Sequence, residues 1–276
     1  PLFIIMEVGN LVSLPLMKRD WKDTWKLIWG VTAFLGIYTA VMIGLYDVIK
    51  GMEIQTVPQS FAYYLCMALG IHMGVLSDLN QFLMDMVYGF LFLLLPMIFE
   101  IVAARRLMIK LVRNGMMTWI LSTPNDRGKI GGTQALFLIL SVAIQTITTT
   151  VTGLICMSFL NPQEIDIWGY VMMNAGVFML HFLISSICFL ISSSVNGNKS
   201  YYRLTILIFG IFFLFHLIGN LGGFFEYAKA GTIFSLYQPQ KILDGENRAY
   251  LFMTILLMSG VLFYWGGVQK FKKKNL

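Results

Sequence analysis

Long apolar runs, six of them close to 20 residues, are the feature that most restricts what this chain can fold into. About 20 apolar residues in an α-helix cross the hydrocarbon core of a bilayer, which is about 30 Å thick. Only 12% of the 276 residues are charged, against about 25% in a soluble domain. The period-two alternation that a transmembrane β-barrel requires is not found in the sequence. We therefore predict an all-α polytopic membrane protein that forms a single transmembrane domain.

The apolar runs predict six transmembrane helices, at about residues 27–46, 85–104, 133–159, 170–194, 204–222 and 249–268. Residues 61–77 are also apolar but short. A crossing there would place the basic segment 105–129 outside, whereas Lys and Arg are enriched in cytoplasmic loops. We therefore predict that residues 61–80 lie in the outer interface or re-enter the membrane without crossing it. We also expect Pro96 to kink the second span.

The basic residues are divided unequally between the two sides of this arrangement. Sixteen of the twenty Lys and Arg residues fall in the segments predicted to be cytoplasmic, and four fall outside (Lys50, Lys229, Lys241 and Arg248). Both termini are then predicted to be cytoplasmic. Because the basic residues cluster at span ends, the net charge of +6 does not indicate a nucleic-acid partner.

The first 26 residues contain a basic segment rich in tryptophan. Lys18, Lys22 and Lys26 alternate with Trp21 and Trp25. This pattern is typical of an amphipathic helix that lies in the interface, with Lys near anionic headgroups. An ordinary cluster of charges before the first span is the alternative.

The segment 105–129 holds six Lys or Arg residues and one acid, Asp126. Its second half reads as a helix start, with Thr123 as N-cap, Pro124 in the first helical position and Asp126 in the third. Before it, Ile109–Leu121 can form a short amphipathic helix in the cytoplasm. A solvated loop on the headgroups would explain the charge, but not the apolar residues followed by a defined cap.

No nucleotide, metal or hydrolytic site is indicated. In the Gly128-Lys129 pair, Ile130 stands where a phosphate-binding loop needs Ser or Thr. The three histidines lack a second ligand at metal spacing. The three cysteines are far apart and predict free, buried thiols. The chain itself is therefore predicted not to be an enzyme and to hold no cofactor.

Four polar residues inside the predicted spans are candidates for a substrate path, because polar side chains in a membrane usually face the bundle or a cavity. They are Asn174, His181, His216 and Asn220. Hydrogen bonds between helices are the alternative role. Glu100 is expected near the inner interface, paired with Arg105 or with a cation on another helix. No acid is expected at the centre of the spans.

The run from Arg105 to Ile139, which follows a span ending in PMIFEIVAARR, resembles the permeases of the ABC transporter superfamily, of the second exporter type. Such permeases carry a charged pair after the second span, then a coupling helix, then a turn like LLSTPxSR into the third. Here the turn reads ILSTPNDR, with Ile120 for Leu and Asp126 for Ser. The six-span layout extends the resemblance to most of the chain.

The resemblance implies a membrane subunit of an ATP-driven exporter in the plasma membrane of a bacterium. It would pair with a second permease subunit, as a homodimer or heterodimer, and bind two cytoplasmic ATPase subunits that carry ATP and Mg. Similar permeases export antimicrobial or amphipathic peptides. The ATPase-docking residues would be Lys110, Arg113, Asn114, Met116, Met117 and Trp119. The coupling-loop structure would depend on Glu100, Arg105, Arg106, Thr123, Pro124, Asp126 and Arg127.

Two other classes remain open from the sequence. A secondary transporter driven by an ion gradient would need intramembrane carboxylates and broken helices. A membrane sensor subunit that transports nothing needs neither intramembrane carboxylates nor broken helices. Co-purification separates these classes, because only an ABC permease must bring an ATPase with it.

Overall fold

The computed structural model describes residues 12–50, 61–70, 79–113, 115, 126–161 and 166–274, with the backbone alone at residues 61–63, 111 and 113. Within these ranges all regular structure is helical. Five helices are long and apolar enough to cross a membrane, and two further helices, bent by 42°, form a sixth such unit if counted together. The prediction of an α-helical, multi-pass membrane protein is confirmed to that extent.

The six long units correspond in order to the predicted spans. Apart from the 3-10 helices Gly223–Phe225 and Ile233–Leu236, the helices of the described residues are α1 (Leu14–Lys50), α2 (Phe61–Ala68), α3 (Leu79–Tyr88), α4 (Leu91–Ile109), α5 (Arg127–Leu160), α6 (Ile167–Ser194), α7 (Asn198–Gly219), α8 (Glu226–Ala230), α9 (Pro239–Leu243) and α10 (Asn247–Lys272). A short turn of helix, Lys110–Arg113, continues α4.

Helix α1 combines two elements that the sequence analysis kept apart. Its 37 residues run without a break from Leu14 to Lys50, so the basic segment before residue 27 extends the first span rather than forming a separate helix. At 1.5 Å per residue α1 is ~55 Å long, which exceeds the ~30 Å hydrocarbon core. Trp21, Trp25 and Trp29 form one exposed stripe on it.

The second span is broken at a different place from the one predicted. The 42° bend lies between α3 and α4, at Gly89 and Phe90, whereas Pro96 stands inside α4. The bend occurs where another backbone comes close. A Cβ on Gly89 would lie 3.0 Å from the Leu69 carbonyl oxygen, so the absence of a side chain lets the turn after α2 contact the break.

Helix α2 is too short to cross a membrane. Its eight residues span ~12 Å, well below the ~30 Å of a hydrocarbon core. Residues 71–78 lie outside the described part of the chain, so it stays a prediction that residues 61–80 do not cross.

Helix α6 forms the centre of the bundle, with 17 of its 28 residues buried. It packs most extensively against α10, where two glycines allow close approach. The Phe182 ring fills the space where a Cβ on Gly260 would stand, and the Phe189 ring does the same at Gly267. Between them the Tyr264 hydroxyl donates to Ser185 Oγ at 2.7 Å. Small residues that let helices approach closely are the usual basis of packing in membranes.

Helices α1 and α5 pack through a partly polar interface. The buried hydroxyls of Thr24, Thr32 and Thr39 each donate to the carbonyl four residues earlier, so they need no partner on α5. Asp20 is also buried and accepts a hydrogen bond from Gln134 Nε2 at 2.9 Å. The bonds within α1 and the bond from Gln134 allow polar residues to occupy a buried face at little cost.

Successive spans run in opposite directions, so their ends meet at two opposite ends of the bundle. At one, Asp23 contacts Lys110 and Arg105 contacts Asn198; we call this the basic end. At the other, which we call the far end, Asn161 contacts Asp47 at 3.2 Å. The described Lys and Arg residues that the sequence assigned to the cytoplasm belong to helix ends and connections at the basic end.

Candidate functional site

The basic end ties the region after α4 to α1. Lys110 Nζ lies 2.8 Å from Asp23 Oδ2, and both side chains are about half exposed. Arg106 donates to the Asp23 carbonyl at 3.2 Å. Of the predicted docking residues, Lys110 therefore has a partner within the chain. An exposed pair of this kind contributes little stability, about 0.2–1 kcal/mol, so its effect is mainly to fix the direction in which the chain leaves α4.

Two further arginines link the predicted coupling region to other helices. Arg105 Nε donates to Asn198 Oδ1 at 3.1 Å, and its guanidinium lies over the Tyr202 ring. Arg127, the first residue of α5, donates to the Lys274 carbonyl. Lys274 in turn donates to the Val195 carbonyl at 2.6 Å. Burial lowers the pKa of Lys274 to about 8.

Helix α5 begins later than predicted. Asp126 has an extended backbone and is itself the N-cap, with its carboxylate accepting from the Gly128 amide at 3.1 Å. The predicted start, with Asp126 in the third helical position, is wrong, because Asp is as good an N-cap as Thr and caps the helix nearer its apolar part. Thr123 and Pro124 lie outside the described residues, as do four predicted docking residues: Asn114, Met116, Met117 and Trp119. Arg113 is described only as backbone.

Glu100 and His181 form a buried pair between α4 and α6. His181 Nδ1 lies 3.1 Å from Glu100 Oε1, and both side chains are at most 2% exposed. The other ring nitrogen, Nε2, lies 2.8 Å from the Phe92 carbonyl oxygen. This carbonyl lacks its usual helical partner, because Pro96, four residues later, has no N–H. The proline that was expected to kink the helix instead leaves an acceptor free for His181.

The two side chains are close enough to share one proton. Nε2 donates to the Phe92 carbonyl at 2.8 Å, so Nδ1 is an acceptor in the neutral ring. Nδ1 and both carboxyl oxygens of Glu100 are buried without an aligned hydrogen bond. A proton on Glu100 or on the imidazole could turn the 3.1 Å contact into a hydrogen bond.

The partner of Glu100 differs from the first one expected. His181 lies near the middle of α6, ~20 Å from either end of that helix, and Glu100 contacts His181 rather than Arg105. A carboxyl group is thus buried between two spans, which weakens the argument that the spans hold hardly any central acid. The two residues are 81 positions apart in the sequence, and no local pattern links them.

A cavity of about 650 Å³ opens at the far end, between α3, the end of α7 and the helices α8 and α9. His216 and Asn220 line it, as do Asp85, Glu226 and Lys229. Asn220 connects three elements, because its Oδ1 accepts from Lys229 Nζ at 2.9 Å and its Nδ2 donates to the Ala68 carbonyl at 3.1 Å. The helix α8 rests on Gly219, where a Cβ would lie 2.9 Å from the Lys229 backbone nitrogen.

The four residues proposed for a substrate path do not share one site. His216 and Asn220 line the far-end cavity, whereas His181 belongs to the pair with Glu100. Asn174 is buried on α6 and donates to the Tyr170 carbonyl at 2.9 Å, a bond within that helix and not the bond between helices that was its alternative role. The sequence analysis did not single out Asp20, Asp23 or Lys229, whose partners lie in other helices or turns.

The three cysteines are free, as predicted, but only Cys188 is fully buried. No family model matches the chain, and no curated protein matches it.

Proposed function

We propose that this chain is the membrane-spanning subunit of an ATP-driven exporter that uses a separate ATPase, with the basic end in the cytoplasm. The resemblance of the run from Arg105 to Ile139 to ABC permeases carries this proposal. The contacts of the basic end support it: the segments on both sides of the predicted coupling helix are tied to other helices, through Asp23, Asn198 and Lys274.

These ties give the coupling region a mechanical role. An ATPase that grips the Ile109–Leu121 segment would pull on α4, and through Lys110 also on α1. Through Arg127 it would pull on α5 and on the chain end after α10. Force applied at one small segment would then reach four of the spans, which is what a bistable transporter driven from outside the membrane needs.

The substrate that we propose is amphipathic or hydrophobic, with a peptide or antimicrobial favoured. The complex would contain two permease subunits, with a homodimer favoured, and two ATPase subunits that carry ATP and Mg. Lipid is the other partner. The site of action would be the cytoplasmic membrane of a bacterium.

Ala substitution of the predicted anchors tests the coupling. Losing a buried aromatic anchor costs at least ~2 kcal/mol of binding, so Trp119→Ala combined with Met116→Ala should weaken ATPase recruitment more than tenfold. Trp168→Ala is the matched control, because Trp168 is an exposed tryptophan at the far end. If the double variant retains wild-type recruitment and stimulated ATP hydrolysis, the segment is only an interfacial anchor and the coupling assignment fails.

Orientation is tested by cysteine labelling from outside sealed cells, in a background without the native cysteines. Tyr227→Cys, at an exposed far-end position, should react. Lys273→Cys, at the exposed end of α10, should react only after the membrane is opened. Labelling of Lys273→Cys in intact cells would refute the proposed topology.

The Glu100–His181 pair favours a second candidate, a transporter coupled to a proton gradient. A buried Glu–His pair between two spans is typical of proton relays. The two candidates are separated by transport into inverted vesicles. Uptake that needs ATP and persists with a protonophore supports the exporter, whereas uptake abolished by the protonophore and independent of ATP supports the gradient-driven transporter.

A further inference from the structure

The far-end cavity combines charges of both signs with apolar walls. Its charged lining residues are the carboxylates Asp85 and Glu226 and the ammonium groups Lys229 and Lys241. Met84 and Leu93 contribute apolar surface, and a volume of about 650 Å³ lies within the ~300–1,000 Å³ that small-molecule sites occupy. A ligand with charge of one sign only would meet a like charge on this lining.

Lys229 is held in a position that suits an anionic group. Its Nζ donates to the neutral amide oxygen of Asn220, and an ammonium group has three donors. Burial lowers the pKa of Lys229, an effect that Glu226 partly offsets. Glu226 offsets only part of the cost of this partly buried ammonium, so an anionic ligand group near Nζ would reduce the cost further.

The rim of the cavity carries exposed aromatic rings. Tyr227, which lines the cavity, is 80% exposed, and Phe224 beside it is 84% exposed. Their rings lie 6.5 Å apart. Aromatic clusters of this kind are typical of the boundary between water and lipid, which gives an amphipathic molecule direct access from the outer part of the bilayer.

We propose that the far-end cavity binds a zwitterionic amphipathic molecule, with its anionic group at Lys229 and its ammonium group at Asp85 and Glu226. A phosphatidylethanolamine headgroup carries this chemistry, and so does a peptide with free ends. The exposed aromatic rim favours the lipid. The site does not depend on the proposed export function, since neither ATP nor an ATPase takes part in it.

The test is a thermal-shift titration of the purified full chain in a non-ionic detergent, because a ligand of the folded state stabilises it according to its Kd. The probes are dihexanoyl-phosphatidylethanolamine, dihexanoyl-phosphatidylglycerol and trileucine. Saturable stabilisation by the ethanolamine lipid but not by the glycerol lipid supports the proposal with lipid as the source. Stabilisation by trileucine alone supports it with a peptide as the source. Equal stabilisation by both lipids, or by none of the probes, overturns it.

Variants locate the binding. Lys229→Gln removes the charge but keeps a hydrogen-bond donor, and should weaken the Kd of the bound zwitterion at least tenfold. Lys50→Gln, a lysine at the same end that does not line the cavity, should bind as the wild type does. If Lys229→Gln does not fold, Glu226→Gln, at an exposed position, tests the binding site instead. It should weaken both zwitterions, and unchanged binding would overturn the proposal.

Discussion

Replacing Glu100 by Ala should destabilise the protein far more than replacing it by Gln. Glu100 is fully buried, and its Oε1 lies 3.1 Å from His181 Nδ1. Glu100→Ala removes the carboxyl group that faces the imidazole. The buried Nδ1 then lacks a partner and a cavity remains, which together cost about 3–5 kcal/mol. Glu100→Gln instead offers an N–H to Nδ1, in the direction in which a protonated Glu100 would donate.

The expected cost of Glu100→Gln is about 1 kcal/mol or less, since one hydrogen bond replaces another. At roughly 2 °C per kcal/mol for a chain of this size, Glu100→Ala should lower the Tm by about 6–10 °C and Glu100→Gln by about 2 °C or less. The fluorescence of the six tryptophans during heating in detergent reports the unfolding. Glu246→Ala, an exposed acid without a capping hydrogen bond, is the matched control and should leave the Tm unchanged.

An equal loss of Tm in Glu100→Ala and Glu100→Gln would refute this reasoning. It would mean that Glu100 is present as a carboxylate beside an imidazolium, so that the amide cannot replace it. A negligible change in both would mean that the pair is not formed at all.

Two further predictions concern packing and pH. Gly267→Leu should destabilise the protein by about 1–3 kcal/mol, as overpacking of a core does, because its first added carbon would lie 2.6 Å from the Phe189 ring. The control is Gly210→Ala, whose added carbon meets nothing within 4 Å. It should be neutral or stabilising in the same unfolding assay. The lowered pKa of Lys274, about 8 against an unfolded value of about 10.4, means that the unfolded state binds more protons between those values, so this group makes stability rise from pH 8 to 10. Lys274→Met should reduce that rise, and an unchanged slope would show that Lys274 is solvated.

The positions of the spans could be predicted because lipid requires long apolar helices, and each such run is visible in the sequence. The continuity of α1 could also have been predicted, since neither Pro nor Gly stands between Pro15 and Gly30. The start of α5 was ambiguous, because Thr123 and Asp126 are both good caps and the choice depends on what lies beyond the helix end.

Other features depend on contacts between distant residues. The break at Gly89 follows from the approach of the turn at Gly70, whose φ is +80°, and no periodicity in α3 or α4 indicates it. The pairing of Glu100 with His181 likewise requires the fold. The far-end cavity is lined by residues from α3, α7, α8 and α9, of which the sequence analysis proposed only His216 and Asn220 as site residues.

Affinity purification of the full chain from native membranes, followed by identification of every bound chain, would examine the proposed export function itself. We expect an ATPase subunit to co-purify in equal number with the permease, and ATP hydrolysis in the sample to depend on it. Purification of the chain in an active, transporting form with no ATPase bound would contradict the proposal and leave the proton-coupled transporter as the better account.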